Sequence, residues 1–171
     1  MFVIYIKGFF LLMDDVERLL ILNMVEDLGS IRTRKLFDHF GSLERIFKVN
    51  ECELLEVQGI GPKIALKIIQ SIKEIDITQE MALIKRHNIK VIGFLDKDYP
   101  DRLKNIYAPP CVLYVKGEIL PQDDIAVAIV GSRKASFYGT RTAERLGFEL
   151  ASRGITVVSG LARGIDSSAH Q

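Results

Sequence analysis

Apolar residues recur every three to four positions from Asp14 to about Ile75, a spacing that is typical of amphipathic helices. Residues with turn and capping chemistry divide this stretch into short helices. The expected boundaries are a turn over Asp27–Ser30, a helix over Ile31–Phe40 closed by Gly41, and N-caps at Ser42 and Asn50. The pattern therefore predicts a small all-α domain over residues 14–76.

After Glu74 the pattern changes to apolar runs that alternate with helical segments. Strands are expected over residues 90–95, 111–115, 125–130 and 155–158, and a helix over residues 138–153 with Gly154 at its C-terminal end. The run 125–130 is apolar almost throughout, which favours a strand buried in a parallel sheet. Helices followed by strand–helix–strand alternation predict the α/β fold class. Residues 77–171 are expected to form an incomplete, doubly wound domain with a parallel sheet.

Residues 1–13 form an apolar leader whose chemistry does not suit a targeting segment. Lys7 and Gly8 interrupt it, and Asp14 and Asp15 stand where a signal peptidase would need small residues. The run is also too short and too broken to span a bilayer. We therefore expect no membrane association and a cytoplasmic location.

The cysteines and the distribution of charge limit which kinds of binding site the chain can contain. Cys52 and Cys111 lie in unrelated segments without metal-site spacing, so we expect two buried thiols, no metal and no cofactor. The formal net charge is only +1. Residues 1–80, however, hold 10 Lys or Arg against 13 Asp or Glu, whereas residues 81–171 hold 13 against 9. An electrostatic interaction with nucleic acid is therefore expected in the C-terminal half.

The segment Gln58–Ile69 matches the helix–hairpin–helix pattern. Gly59 and Gly61 are expected to form a tight hairpin with positive φ, and Pro62 suits the first position of the next helix because its missing N–H costs nothing there. The free backbone N–H groups, with Lys63 nearby, are suited to hold a phosphate oxygen. Many such hairpins only pack helices, and this half of the chain is net acidic. A scaffold or protein-docking role is therefore the favoured alternative.

The most informative segment follows the third predicted strand. A loop that begins at Gly131 leads into a helix near Tyr138 or Gly139, so backbone N–H groups and a helix dipole face the carboxyl end of the sheet, where anions bind. A dinucleotide fingerprint would need glycine in place of Arg133, and the Gly-Lys-Ser/Thr of a nucleotide P-loop is absent. Arg133 and Lys134 instead suit phosphates held by side chains as well as by backbone.

The fourth predicted strand is followed by a second loop that contains Ser159, Gly160 and Gly164. Consecutive strands of such sheets are usually neighbours, so Arg163 is expected near Arg133. Glycines alone also suit tight turns without any ligand. Two adjacent loops that each bring an arginine to one sheet edge make an anion site the favoured interpretation.

The two loops resemble a known family. The run Ile129–Arg133, the pair Tyr138-Gly139 and the run Val158–Asp166 with Ala169-His170 are together similar to the signature of the DNA-processing protein A (DprA/Smf) family. The resemblance is close over residues 125–171 and looser from Asp14 onward. It implies a helical, sterile-alpha-motif-like domain followed by an extended Rossmann domain, of which this chain holds the first half.

The resemblance also implies a function. Members of the family bind single-stranded DNA, protect incoming strands during natural transformation and help to load the recombinase RecA. It implies a homodimer for the full-length protein. By position, the expected DNA phosphate site comprises Gly131, Ser132, Arg133, Lys134, Tyr138, Gly139, Ser159, Gly160, Arg163 and Gly164.

A nucleotide-binding or nucleotide-hydrolysing enzyme on a related Rossmann-like fold is the alternative. Such an enzyme needs a catalytic carboxylate beside a Pro-Gly-Gly-type loop. Asp166 is the only acidic residue in either glycine loop, and we expect its side chain to cap the next helix. His170 is interpreted as a packed or solvated helix residue. We therefore expect no catalytic residues and no enzyme activity.

Overall fold

The structure is a computed structural model that describes residues 13–171. The chain forms two compact units, of which the first ends at Gly117 and the second spans Glu118–Gln171. Helices dominate the first unit and a parallel strand pair lies in the second, which confirms the α/β fold class. Of the expected apolar leader, only Met13 lies within the described residues, and it is buried.

Six helices precede the first strand of the described chain. They are α1 (Asp15–Met24), α2 (Gly29–Phe40), α3 (Leu43–Ile46), α4 (Glu51–Leu55), α5 (Pro62–Glu74) and α6 (Thr78–Arg86). The N-caps of α3 and α4 and the C-terminal end of α2 confirm the local predictions, whereas α2 begins at Gly29, inside the predicted turn over Asp27–Ser30. The Ser42 side chain accepts a hydrogen bond from the backbone N–H of Arg45, and Asn50 forms a capping box with Glu53. Gly41 follows α2 with a φ of 77°, the left-handed conformation of a C-terminal glycine.

The apolar faces of these helices converge on one hydrophobic core. α5 contributes the stripe that the sequence predicts: Ala65 and Ile68 are fully buried, Ile72 is buried, and Ile64 and Ile69 pack against the core from its edge. Packing of this face, more than helix propensity, holds such short helices in place.

A pair of strands completes the first unit. β1 (Lys90–Gly93) pairs antiparallel with β2 (Val112–Val115), and the short helix α7 (Asp101–Lys104) lies between them in sequence. Cys111 and Val112 belong to the same core as the helices, and α1 packs on both strands. The packing division of the chain therefore falls after Gly117, whereas the sequence placed a domain boundary after residue 76. The first two predicted strands form their own antiparallel pair, apart from the parallel one.

The second unit alternates strands and helices. Its elements are a 3₁₀ turn (Pro121–Asp124), β3 (Ala126–Ala128), α8 (Phe137–Ser152), β4 (Thr156–Val158) and α9 (Ile165–Ser168). β3 and β4 are parallel neighbours, as predicted, and Gly154 follows α8 with a φ of 75°. The prediction that residues 125–130 are buried was wrong: Ile125 is 67% and Val130 is 72% exposed. Within the second unit β3 pairs with β4 alone, and α8 packs on β4.

The thiols differ in their surroundings. Cys111 is buried, as expected, but Cys52 is exposed because it lies on the outer side of the short helix α4. Among residues 13–171 no helix has the length and apolar character needed to cross a membrane.

Candidate nucleic-acid interface

The first glycine loop connects β3 to α8. Its beginning is tied to the neighbouring strand, because the backbone N–H of Ile129 donates to the carbonyl of Val158 at 3.0 Å. Its end is a helix cap: the Ser136 hydroxyl accepts from the backbone N–H of Gly139 at 3.1 Å. Inside the loop, the Ser132 hydroxyl accepts from the N–H of Lys134 at 3.1 Å. The loop is thus fixed by its own side chains, and the Gly139 N–H is already engaged.

The second glycine loop connects β4 to α9 and starts beside the first. The Ser159 hydroxyl donates to the carbonyl oxygen of Ile129 at 2.7 Å, so this predicted site residue links the two loops. Leu161 has a φ of 52° although it carries a branched side chain, and that side chain is 69% exposed. A non-glycine residue held in this conformation is strained, and such strain concentrates at functional loops.

The glycines of the two loops are explained by close backbone contact. The N–H of Ile165 donates to the carbonyl of Ser132 at 3.2 Å. A Cβ at Gly164 would lie 2.3 Å from that same carbonyl oxygen, and a Cβ at Gly131 would lie 2.6 Å from the Ile165 Cγ1 atom. Glycine is therefore needed at both positions for the loops to touch, independently of any ligand.

Asp166 does not cap α9, and that prediction was wrong. The helix begins at Ile165, one residue earlier, so the Asp166 side chain lies inside the first turn rather than at its entrance. The N–H of Ser168, a group from which a capping Asp166 would accept, bonds to the carbonyl of Gly164 instead. The Asp166 Oδ1 atom accepts from the backbone N–H of Gly131 at 3.2 Å. The Gly131 N–H is consequently not free for a phosphate.

Three basic side chains of the loops have no ion-pair partner among the described residues 118–171. Arg133, Lys134 and Arg163 are exposed, and no carboxylate of the second unit forms an ion pair with them. The other arginines of this unit behave differently. Arg141 forms an ion pair with Glu144 at 2.9 Å. Glu149 pairs with two arginines, Arg145 at 3.9 Å and Arg153 at 3.7 Å. The three loop cations therefore lack an ion-pair partner in the second unit, whereas its other three arginines each have one.

Two aromatic side chains stand at the start of α8, directly after the basic loop. Phe137 is 83% and Tyr138 is 79% exposed, although aromatic rings usually contribute to cores. Tyr138 belongs to the predicted site, whereas Phe137 and the exposed Leu161 do not. The sequence itself places them close to basic residues: Phe137 and Tyr138 follow the loop that carries Arg133, and Leu161 lies in the loop that carries Arg163. Gly139 is close-packed instead: a Cβ there would lie 3.2 Å from the Ile165 Cδ1 atom.

The helix–hairpin–helix has a different electrostatic character. Gly59 has the predicted positive φ of 93°, but Gly61 has an extended φ of −96° and caps α5, with Pro62 at the first helical position as predicted. Lys63 lies 4.0 Å from the Asp27 carboxylate. The hairpin backbone is braced by Arg32, whose Nε donates to the carbonyl of Gly59 at 2.9 Å.

A lysine and two carboxylates form a clamp next to this hairpin. Lys67 Nζ lies 2.5 Å from the Glu26 carboxylate and 2.7 Å from that of Asp27. The hydrogen bond and charge of Lys67 lower the pKa of Asp27, and the two carboxylates raise the pKa of Lys67. Lys63 and Lys67 thus have carboxylate partners, which favours the scaffold role, whereas Arg32 and Lys35 bond to neutral groups of the hairpin, the Gly59 carbonyl and the Gln58 side chain. Phosphate binding by Gly59, Gly61 and Lys63 stays a prediction.

Comparison with known proteins links both units to one group of relatives. Residues 90–171 match the family described as DNA recombination-mediator protein A, and residues 24–79 match the helix-hairpin-helix motif. The chain is 34% identical over 152 residues to Protein Smf of Synechocystis sp., covering 86% of this chain and 38% of the relative. It is 38% identical over 91 residues to DNA processing protein DprA of Bacillus subtilis, covering 53% of this chain and 31% of the relative.

A solved structure agrees with these sequence relationships. The X-ray structure of DNA processing protein A (DprA) from Streptococcus pneumoniae superposes with a TM-score of 0.61 at 25% identity. The match covers 92% of this chain and 53% of that protein. The chain therefore spans between about a third and a half of the length of these relatives.

Proposed function

Because this chain belongs to the DNA processing protein A (DprA/Smf) family, we propose that it binds single-stranded DNA in the course of DNA processing, natural transformation and recombination. The observation that carries the proposal is the set of uncompensated cations on the two glycine loops, Arg133, Lys134 and Arg163. Cations without protein partners attract phosphates and release the counterions that surround a nucleic acid.

The phosphate contacts come from side chains more than from backbone. Gly131 and Gly139 have engaged N–H groups, so they shape the loops instead of holding the ligand. Arg133 and Arg163 supply the geometry that suits phosphate oxygens, since a guanidinium donates two parallel hydrogen bonds. Lys134 adds a positive charge that attracts a phosphate in any orientation.

The exposed aromatic rings supply a reason to prefer single strands. Unstacked bases have free faces that stack on aromatic side chains, whereas the bases of a duplex are already stacked. Phe137 and Tyr138 present such faces at the end of the basic loop. Phosphate contacts with base stacking give binding that tolerates any sequence and weakens as salt rises.

Protection of incoming strands, loading of RecA, a homodimeric full-length protein and a cytoplasmic location extend this proposal. Family membership supports them. The loading of RecA is tested by assembling RecA filaments on a strand that a single-strand-binding protein already coats. Faster assembly with the protein than without it would support loading, and an unchanged rate would contradict it.

A nucleotide-hydrolysing enzyme is the second candidate function, and Asp166 is the residue that could supply its catalytic carboxylate. Such an enzyme would need an accessible carboxylate. Asp166 is 8% exposed and its Oδ1 atom is bonded to the Gly131 N–H. The geometry thus favours the binding function. Release of free base from nucleoside monophosphates by the protein would support the enzyme instead.

Photo-crosslinking locates the DNA. An oligonucleotide that carries photoreactive thymidine analogues is irradiated with the protein, and the crosslinked peptides are identified by mass spectrometry. The proposal predicts crosslinks in the first glycine loop and at Tyr138, and in the second loop around Arg163. Crosslinks confined to residues 57–67 would assign DNA binding to the hairpin and contradict the proposal.

A further inference from the structure

The Asp166 carboxylate contacts both glycine loops at once. Its Oδ1 atom accepts from the N–H of Gly131 in the first loop at 3.2 Å. Its Oδ2 atom lies against Gly160 in the second loop, so closely that a Cβ on Gly160 would stand 2.9 Å away. The side chain is almost fully buried at this junction. One acidic residue therefore joins the two segments that carry Arg133 and Arg163.

A buried carboxylate at this position needs an explanation. Burial of a charged group is unfavourable unless hydrogen bonds compensate for it. Asp166 is the only acidic residue within residues 125–143 and 154–171, and it forms no ion pair within the second unit. It is also not the cap of α9. Its described hydrogen-bond partner is the loop backbone itself.

We propose that Asp166 is the positioning residue of the DNA site. Its carboxylate holds the start of the first loop against the second, and so fixes Arg133 relative to Arg163 before the DNA arrives. Asp166 does not contact the DNA. The inference rests on the proposed function, and it adds a residue whose effect is to reduce the loop ordering that binding would otherwise require.

Position and charge make opposite predictions, which allows a decisive test. A carboxylate that only opposed phosphate by repulsion would weaken binding, and its removal would strengthen binding. A positioning carboxylate strengthens binding, and its removal weakens it. Asp166→Ala removes both charge and acceptor, whereas Asp166→Asn removes the charge but keeps an oxygen that accepts from Gly131.

The measurement combines the affinity for labelled oligo-dT with hydrogen exchange at the Gly131 amide. We expect Asp166→Ala to bind about tenfold more weakly, since a hydrogen bond to a charged group contributes on that order, and to exchange the Gly131 amide faster. Asp166→Asn should lose clearly less of both properties than Asp166→Ala, because the amide oxygen still accepts from Gly131 although a neutral acceptor bonds more weakly than a carboxylate. Ser168→Ala is the matched control in the same helix, because the Ser168 side chain forms no hydrogen bond with either loop among the described residues, and it should alter neither.

A second variant keeps the test valid if Asp166→Ala does not fold. Gly160→Ala places a methyl group against Oδ2 without a positive-φ penalty, and it should also lower affinity and raise exchange at Gly131. Unchanged or stronger binding by folded Asp166→Ala or Gly160→Ala would overturn the inference. If Arg133→Ala loses binding while Asp166→Ala does not, only this inference fails. If the unaltered protein binds no oligo-dT, the proposed function fails and this inference fails with it.

Discussion

Gly164 lies directly against the carbonyl oxygen of Ser132, so that a Cβ at position 164 would stand only 2.3 Å from it. This contact brings the beginning of α9 onto the first glycine loop. Gly164 also has a φ of 89°, a conformation that L side chains rarely adopt.

The contact predicts that Gly164→Ala destabilises the protein. Backbone strain and the steric clash should together lower the free energy of unfolding by about 2–4 kcal/mol, measured by urea denaturation. Gly154→Ala is the matched control, because Gly154 also has a positive φ of 75° but open space around its Cβ position. It should cost only about 1 kcal/mol. Equal losses for the two variants would show that the contact with Ser132 contributes nothing.

The clamp between Lys67 and the carboxylates of Glu26 and Asp27 predicts a dependence of stability on pH. The pKa of Asp27 is below its ordinary value of 3.8, mainly because Lys67 donates a hydrogen bond to the carboxylate. A lowered carboxyl pKa stabilises the fold above the unfolded-state pKa, and this stabilisation is lost as the pH falls through the folded-state pKa.

Lys67→Met should therefore lower the melting temperature slightly at pH 6 and much less at pH 2, because the clamp is exposed and weak. Lys73→Met on the same helix is the control, since no ion pair joins Lys73 to a described residue. It should leave the melting temperature unchanged at both pH 6 and pH 2. A Lys67→Met deficit that is equally large at both pH values would contradict the electrostatic interpretation.

The two thiols should react at very different rates. Burial raises the pKa of Cys111 to about 11, so almost none of it is the reactive thiolate at pH 8. Cys52 is exposed. A disulfide reagent such as DTNB should therefore titrate one thiol per folded chain rapidly at pH 8, and a second only in urea. Rapid reaction in the folded Cys52→Ser variant would contradict the buried position of Cys111.

Substitutions of Tyr138 separate stacking from phosphate contact. Tyr138→Phe keeps the ring and should retain the affinity for oligo-dT. Tyr138→Ala should weaken it by roughly tenfold, since stacking contributes about 1–3 kcal/mol per base, and should reduce the preference over duplex DNA. Competition binding with duplex DNA measures both. If Tyr138→Phe is as weak as Tyr138→Ala, the hydroxyl contacts the phosphate, as the sequence-based assignment of this residue implies.

Local features of this fold could be predicted from sequence, because local chemistry decides them. Gly41, Ser42, Asn50 and Gly154 end or begin helices through contacts within a few residues of themselves. Strand positions were also correct to within two residues, because apolar runs and turn residues mark them.

Features that depend on distant partners could not be predicted. The hydrogen bond between Asp166 and Gly131 joins residues 35 positions apart, and a capping role was the nearest explanation that sequence alone supplied. The packing of Cys111 onto the helical core also joins residues that are far apart in the sequence. Because of such contacts, the first compact unit ends at Gly117 and not at the predicted residue 76. The extended φ of Gly61 shows that a glycine in a motif does not by itself indicate which conformation it adopts.

The most direct test of the central claim is the anisotropy of labelled oligo-dT with the unaltered protein and with Arg133→Ala, over a series of salt concentrations. The account predicts single-strand binding that weakens with salt, and an Arg133→Ala affinity that is about tenfold or more lower for every sequence. The slope of log affinity against log salt should fall by about 0.7, the value for one lost phosphate contact on a single strand. A folded Arg133→Ala protein that keeps the affinity and slope of the unaltered protein would contradict the claim that the glycine loops hold the DNA.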